Sequence, residues 1–224
     1  MELSKVAVII PAYNEATSIG SVIAELNDYM PGVNIIVVDD GSGDNTAKEA
    51  EAAGATVVTL ATNQGYANAI EQGFIQALNQ GCYQYVVTVD ADGQHHPKSV
   101  KAMIELAQNT DDLIIGQRTR AARWSEWLFG LYFNAKFSVK DPLCGLRLYR
   151  LSMFTKYGAF ETYDSIGTEL MTWIILQGKC YKTLDVEIRY RADKPRFGTG
   201  FSVNQRIFKS LLTTLSFVKR HQST

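Results

Sequence analysis

Three polar clusters in this 224-residue sequence carry groups suited to holding a nucleotide, a metal ion and a diphosphate. Asp90-Ala91-Asp92-Gly93-Gln94 sets two carboxylates two residues apart, followed by a carboxamide. Oxygen donors at that spacing fit a hard divalent cation, Mg2+ or Mn2+, with a substrate diphosphate supplying the remaining ligands. Pro11-Ala12-Tyr13-Asn14-Glu15 and Asp39-Asp40-Gly41-Ser42 add carboxylates that can accept from a nucleobase N–H or a ribose hydroxyl. Other readings of these clusters fail on spacing. A calcium loop of the EF-hand type starting at Asp90 would need glycine sixth and glutamate twelfth, where His95 and Lys101 stand. Gly41-Ser42-Gly43 has Thr46 where a dinucleotide fingerprint needs its third glycine, and it follows the second strand instead of the first. There is no Walker A lysine loop.

Each cluster follows a short apolar run. Strands are expected at 6–10, 34–39, 55–60, 85–90 and 112–116, all nearly continuous in apolar residues, as parallel strands covered on both faces are. Helical periodicity lies between them at 17–30, 44–53, 66–79 and 98–108, with Gly54 and Gly81 placed to end two of the helices. Thr17 or Ala16 could begin the first helix, and Asp40 or Ser42 could cap the second. The alternation predicts an α/β, doubly wound and mostly parallel sheet. In such a sheet ligands bind outside the carboxyl ends of the strands, which is where all three clusters fall. The second half is less regular: an aromatic helix at about 122–138, a strand at 145–150, a helix at about 166–177, a strand at 181–190, a loop at 192–200 and an amphipathic helix at 202–219.

Charge divides the chain in the same way. Residues 1–112 carry four basic and fifteen acidic groups, a net of −11, whereas residues 113–224 carry eighteen and eight, a net of +10. The formal total of −1 conceals this asymmetry, and with no basic excess over the whole chain, nucleic acid is not an expected partner. The acidic part could hold a metal or a base, the basic part phosphates or a membrane surface. Cys82, Cys144 and Cys180 are odd in number and widely spaced, as reduced thiols in a cytoplasmic protein would be. The first residues lack a signal-peptide pattern, and no stretch reaches about 18 uninterrupted apolar residues.

The ordered set PAYNE, VVDDGSGDNT, NQGYANAI, VDADGQ and IIGQR resembles family 2 inverting glycosyltransferases of the GT-A fold, and is similar to the dolichol- and polyprenyl-phosphate branch over about residues 5–200. The resemblance implies one domain over 1–224: a nucleotide-sugar-binding part over 1–117, a smaller acceptor part over 118–200 and a C-terminal amphipathic helix over 201–224. It implies that Pro11, Tyr13, Glu15 and Asp39 hold the nucleotide of a UDP-, GDP- or dTDP-sugar, with Asp90 and Ala91 on the same donor side. Asp90, Asp92 and Gln94 would hold the metal and diphosphate. Arg118 matches a residue that contacts acceptor phosphate in that branch. Arg147, in a segment that looks like D-x-x-S-G-F-R, would be a second phosphate contact, and Arg196 a third that closes over the diphosphate. With Asp92, these three arginines form the expected catalytic set. An arginine fork suits phosphate better than lysine does.

One departure bears on the acceptor. Many family 2 enzymes carry Glu-Asp before the helix expected at 166–177, the aspartate being the general base; here Ile166-Gly167 falls at that pair. A sugar hydroxyl needs a base in the transition state. A phosphate monoester, with a second pKa of about 6, is already ionised. The substitution therefore favours a lipid-phosphate acceptor, expected at the inner face of a membrane. The alternatives are transfer to a sugar hydroxyl in cell-envelope glycan synthesis, with Asp141, Asp164 or Glu169 as base, and a sugar-nucleotide-binding subunit without turnover. His95 and His96 are adjacent and are expected as loop residues, His95 at most supporting the metal site; Glu15 could serve a helix dipole as well as a nucleotide. The aromatic stretch 124–137 and the helix at 202–219 are each open to two readings, packed core or peripheral membrane contact.

Overall fold

The structure is a computed structural model describing residues 1–119, 123–189 and 201–222. Seven strands make one sheet: β1 (Val6–Ala12), β2 (Asn34–Asp39), β3 (Thr56–Thr59), β4 (Tyr85–Thr88), β5 (Leu113–Arg118), β6 (Arg147–Arg150) and β7 (Tyr181–Val186). Among the described residues eight α-helices accompany them: α1 (Ile19–Tyr29), α2 (Thr46–Ala52), α3 (Tyr66–Gln80), α4 (Pro97–Leu106), α5 (Trp124–Phe137), α6 (Leu151–Tyr157), α7 (Glu169–Leu176) and α8 (Phe201–Gln222). The strand order is β3-β2-β1-β4-β6-β5-β7.

Strand β1 shows why the sheet is a middle layer. All seven of its residues are buried. Successive side chains point to opposite faces, so Val6, Val8 and Ile10 join one apolar cluster and Ala7 and Ile9 another. The first cluster is completed by Ile19, Ile23 and Leu26 of α1 with Val100 and Met103 of α4. The second takes Ile70 and Phe74 of α3, Phe129 and Phe133 of α5, and Val203 and Ile207 of α8. Each large side chain so buried contributes about 1.5–3 kcal/mol. Two covered faces are what the continuous apolar runs require.

The second half supplies what periodicity alone did not place. β6 inserts between β4 and β5 and runs antiparallel to both, pairing Thr88 with Arg147 and Ile115 with Arg147. It is four residues long instead of the six expected at 145–150. Helix α6, unforeseen in the sequence, follows directly and ends at Gly158 with φ +91°. Helix α7 starts at Glu169 and not at 166, because Ile166 and Gly167 take φ of +55° and +72° and cannot continue a right-handed helix. β7 stops at Val186, short of 190.

Helix α5 resolves into two faces. Phe129, Phe133 and Phe137 are buried, whereas Trp124, Trp127 and Leu131 are 57%, 61% and 51% exposed. Among the described residues no helix is long and apolar enough to cross a membrane.

Candidate active site

A cavity of about 450 Å3 opens at the carboxyl ends of β1 and β4, a size ordinary for a small-molecule site. Because β6 is reversed, its amino end reaches the same edge, which brings Gly145 and Arg147 beside the residues that follow β4. Thr88 Oγ1 donates to the Gly145 carbonyl at 2.6 Å and ties the two strands there. Of the residues expected from sequence, Pro11, Tyr13, Glu15, Asp90, Ala91, Asp92, Gln94, Arg118 and Arg147 all line this one cavity.

Two others stand differently. Asp39 is buried and does not line the cavity; its carboxylate accepts from the Ser42 N–H at 3.1 Å. Its neighbour Asp40 does line it, and neither Asp40 nor Ser42 caps α2. Asp40 instead accepts from the N–H groups of Gln64 and Gly65 at 2.7 and 2.8 Å, fastening the turn before α3 to the end of β2. Ser42 Oγ accepts from the Asn14 N–H at 2.8 Å. Arg196 lies outside the described residues. Glu15 precedes α1, which begins at Ile19 with Ser18 before it, not at Ala16 or Thr17; its carboxylate accepts from Ser18 Oγ at 2.6 Å.

Around Asp90 the contacts are tight. The Tyr66 hydroxyl donates to Oδ1 at 3.2 Å. Burial of that hydroxyl and the charge of Asp90 push the phenol well above its ordinary range, although the residue as a whole is 43% exposed. His95 accepts from the Asp90 N–H through Nδ1 at 3.3 Å, and its Nε2 stands 3.7 Å from Asp90 Oδ2. His95 thus supports the Asp90 loop. His96 is a helix cap: its Nδ1 accepts from the Lys98 N–H at 3.0 Å, with Pro97 at the first position of α4. Asp92 accepts from the Gln94 N–H at 3.0 Å, which folds the acidic loop on itself.

The two cavity arginines expected at phosphate differ in their partners. Arg118 holds Asp141 through Nε at 2.6 Å and Nη2 at 2.9 Å, and reaches Glu126 at 3.2 Å. Burial opposes its charge, but the bonds to Asp141 and the charge of Glu126 outweigh burial and hold it above the ordinary arginine range. Glu126 also binds Arg123 at 2.6 Å, so two carboxylates serve two arginines along this wall. Arg147 is only 4% exposed, and among the described residues no carboxylate lies within ion-pairing distance of it. It donates to the Tyr149 hydroxyl at 3.1 Å, to the Pro142 carbonyl at 2.5 Å and to the Gly167 carbonyl. Its Nε is buried without a hydrogen-bond partner. A buried guanidinium facing neutral oxygens is a poorly compensated charge.

The residues considered as a general base are engaged elsewhere. Glu169 is fully buried and accepts from Thr162 N–H and Oγ1, both at 2.6 Å, from Tyr163 N–H at 3.1 Å and from the Tyr157 hydroxyl. Asp141 holds Arg118, and Asp164 pairs with Arg206 at 3.1 Å. None of the three lines the cavity, whereas Ile166 and Gly167 do. Tyr66 and Asn63 also line it and were not singled out for chemistry from the sequence; both lie in the NQGYANAI segment, whose place between β3 and α3 was the available signal.

Sheet order, reversed β6 and cavity together define a GT-A glycosyltransferase domain. Glucosyl-3-phosphoglycerate synthase from Mycobacterium tuberculosis, solved with Mn2+, UDP and phosphoglyceric acid, superposes with a TM-score of 0.74 at 22% identity, over 94% of this chain and 78% of that one. The chain belongs to glycosyl transferase family 2, whose family model matches residues 7–170. Similar relatives include the dolichol-phosphate mannosyltransferase of Pyrococcus furiosus, 27% identical over 83% of this chain and 56% of its own length. The polyprenol monophosphomannose synthase of Mycolicibacterium smegmatis is 32% identical over 88% of this chain and 73% of its own length. The chain thus spans only 56% of the first of these relatives.

Proposed function

We propose that this domain transfers a sugar, with inversion, from a nucleotide-sugar donor to a lipid phosphate. The observation that carries the reading is Arg147, a buried cation without a carboxylate partner among the described residues, on the wall of a cavity that also contains Asp90 and Asp92. An acceptor phosphate would supply the missing anion. The names of the Pyrococcus and Mycolicibacterium relatives, both specifying polyprenyl-type phosphate mannosyl transfer, agree with that acceptor.

On this reading an oxygen of the acceptor phosphate attacks the anomeric carbon as the bond to the nucleoside diphosphate breaks. The nucleophile is ionised beforehand, so no proton must be removed and the step needs no general base. Arg147 screens and orients the acceptor, and Pro11, Tyr13 and Glu15 lie where the nucleotide would sit. Among the described residues no cluster of three His, Cys, Asp or Glu could hold a metal unaided. Asp90, Asp92 and Gln94 on the cavity wall still fit Mg2+ or Mn2+, which typically binds one or two carboxylates and takes its other ligands from substrate phosphate. When bound, such a cation would offset the charge that develops on the leaving diphosphate. The structural relative was solved with Mn2+ and UDP, which supports this donor chemistry. Transfer to a sugar hydroxyl is less favoured, because none of Asp141, Asp164 and Glu169 lines the cavity and each is held by other residues, Asp141 by Arg118.

The test is Arg147→Ala assayed against a short-chain prenyl phosphate. Acceptor KM is expected to rise by about tenfold or more, the loss typical of a charged hydrogen bond, with donor KM nearly unchanged. Equal loss of both would count against the assignment.

The exposed stripe of Trp124, Trp127 and Leu131 supports a peripheral contact with the membrane that would carry the acceptor. The same helix reaches the cavity through Glu126. Co-sedimentation with anionic vesicles is expected for the wild type and reduced for Trp124→Ser/Trp127→Ser.

A further inference from the structure

Ile166 is a β-branched residue in the left-handed region, with φ +55°, and it lines the cavity. Such a conformation is strained for a β-branched residue and persists only where the surroundings over-determine it. The Ser165 N–H donates to the Tyr163 carbonyl at 2.6 Å, and one side chain brackets the turn from both sides. Glu161 accepts from the Ser165 N–H through Oε1 at 2.6 Å and from the Gly167 N–H through Oε2 at 2.7 Å, clamping the amides on either side of Ile166. The clamped turn has a second consequence: the Gly167 carbonyl is aimed at Arg147, which donates to it through Nη1. Ser165 Oγ, accepting from the N–H groups of Thr168 and Glu169 at 3.1 Å each, anchors the far side of the turn on α7.

We infer that Glu161 is a positioning residue for the acceptor half of the reaction: its carboxylate holds the strained Ser165-Ile166-Gly167 turn, and the turn fixes the direction of the Arg147 guanidinium. Glu161 does not line the cavity and touches no reacting group; it acts through backbone. The inference rests on the reading of Arg147 as the acceptor-phosphate contact. It adds why a residue as awkward as isoleucine is tolerated at this position. Both carboxylate oxygens are needed, because glutamine would offer one acceptor and set an NH2 group against the second amide.

The test uses Glu161→Gln, Ile166→Gly, the double variant and Arg147→Ala in the intact chain. Farnesyl phosphate is the acceptor probe, and UDP, GDP and dTDP with Mn2+ are the donor probes; binding is followed by calorimetry. Amide exchange at residues 165–167 is followed in parallel. Glu161→Gln is expected to weaken farnesyl phosphate about tenfold, leave nucleotide binding within about twofold, and speed exchange at 165–167. Ile166→Gly added to it should restore farnesyl phosphate binding, because glycine holds a positive φ without a clamp. A merely structural glutamate predicts the opposite, since deleting a side chain would deepen the loss. Unchanged exchange and binding in Glu161→Gln, or a double variant no better than the single, would overturn the inference. Arg147→Ala reports separately on the underlying reading. If it binds farnesyl phosphate as the wild type does, the phosphate assignment falls, while exchange and its reversal by glycine still decide whether Glu161 holds the turn.

Discussion

Gly145 presses so closely on Asp90 that a β-carbon at position 145 would stand 2.6 Å from Oδ2 and 2.7 Å from Oδ1 of the carboxylate. Real β-carbons do not approach oxygen so closely, and the Asp90 carboxylate is also held by the Tyr66 hydroxyl. Gly145→Ala must therefore displace Asp90. The expected result is loss of most of the Mn2+-dependent part of nucleotide binding, with the melting temperature of the free protein lowered by only a few degrees. A thermal-shift titration of UDP, GDP and dTDP with and without Mn2+ reads both. Asp92→Ala should abolish the metal-dependent shift altogether, and a full Mn2+ response in either variant would remove that carboxylate from the metal site.

Arg118 and Arg147, two of the arginines on the cavity wall, should respond in opposite ways to loss of charge at or beside them. Asp141→Asn breaks the two-pronged contact with Arg118 and leaves that cation in a partly buried site, so urea denaturation should report a stability loss of about 2 kcal/mol. Arg147→Met removes a buried charge that has no carboxylate partner among the described residues and replaces it with an apolar chain of similar length. Stability should stay level or rise, while acceptor use collapses. A large destabilisation by Arg147→Met would mean that the charge is structural.

Thiol chemistry checks the packing beneath the site. Cys144 is 1% exposed, and burial, with the nearby Asp141 charge, pushes its pKa up to about 12. It should resist iodoacetamide at pH 8 in the folded protein, where Cys82 and Cys180 are exposed. Cys180 should lag behind Cys82, because its hydrogen bond to Asp111 raises its pKa. Mass spectrometry should therefore count two modified thiols in the native protein and three after denaturation.

Asp111 gives a pH signature. Burial by itself would raise its carboxyl, but the Lys182 ammonium at 2.7 Å, the Gln108 N–H and the Cys180 thiol together hold it below the ordinary carboxylate range. The folded state therefore takes up this proton less readily than the unfolded chain. The resulting stabilisation is complete above the ordinary aspartate value of about 3.9 and is lost as pH falls through the lowered one. Urea midpoints measured from pH 6 to pH 2 should fall less steeply for Asp111→Asn than for the wild type.

The cavity edge proposed for the donor was legible because its signals are local. Apolar runs ending in Pro11, Asp39 and Asp90 mark strand ends, and a parallel sheet gathers strand ends at one edge. The Asp39–Asp40 pair shows where that stops: the sequence favours Asp39 as the ligand and Asp40 as a cap, whereas Asp40 lines the cavity, held by contacts with Gln64 and Gly65 more than twenty residues away. The acceptor side was harder for the same reason. The direction of β6, the occupation of Arg118 by Asp141 and the burial of Glu169 are set by pairings across the fold, and no periodicity encodes them. Ile166 was legible only as the absence of an acid; its positive φ belongs to Glu161.

The reversed strand β6 also imposes an order on synthesis. β1 to β4 pair among themselves and need nothing beyond Thr88. β5 pairs with none of them; its partners in the sheet are β6 and β7. As the chain leaves the ribosome, residues 113–118 must wait as an unpaired edge until Arg147–Arg150 arrive to join them to β4. During that interval the nascent protein exposes an apolar strand rich in isoleucine, and this is when a chaperone or an aggregating neighbour would find it.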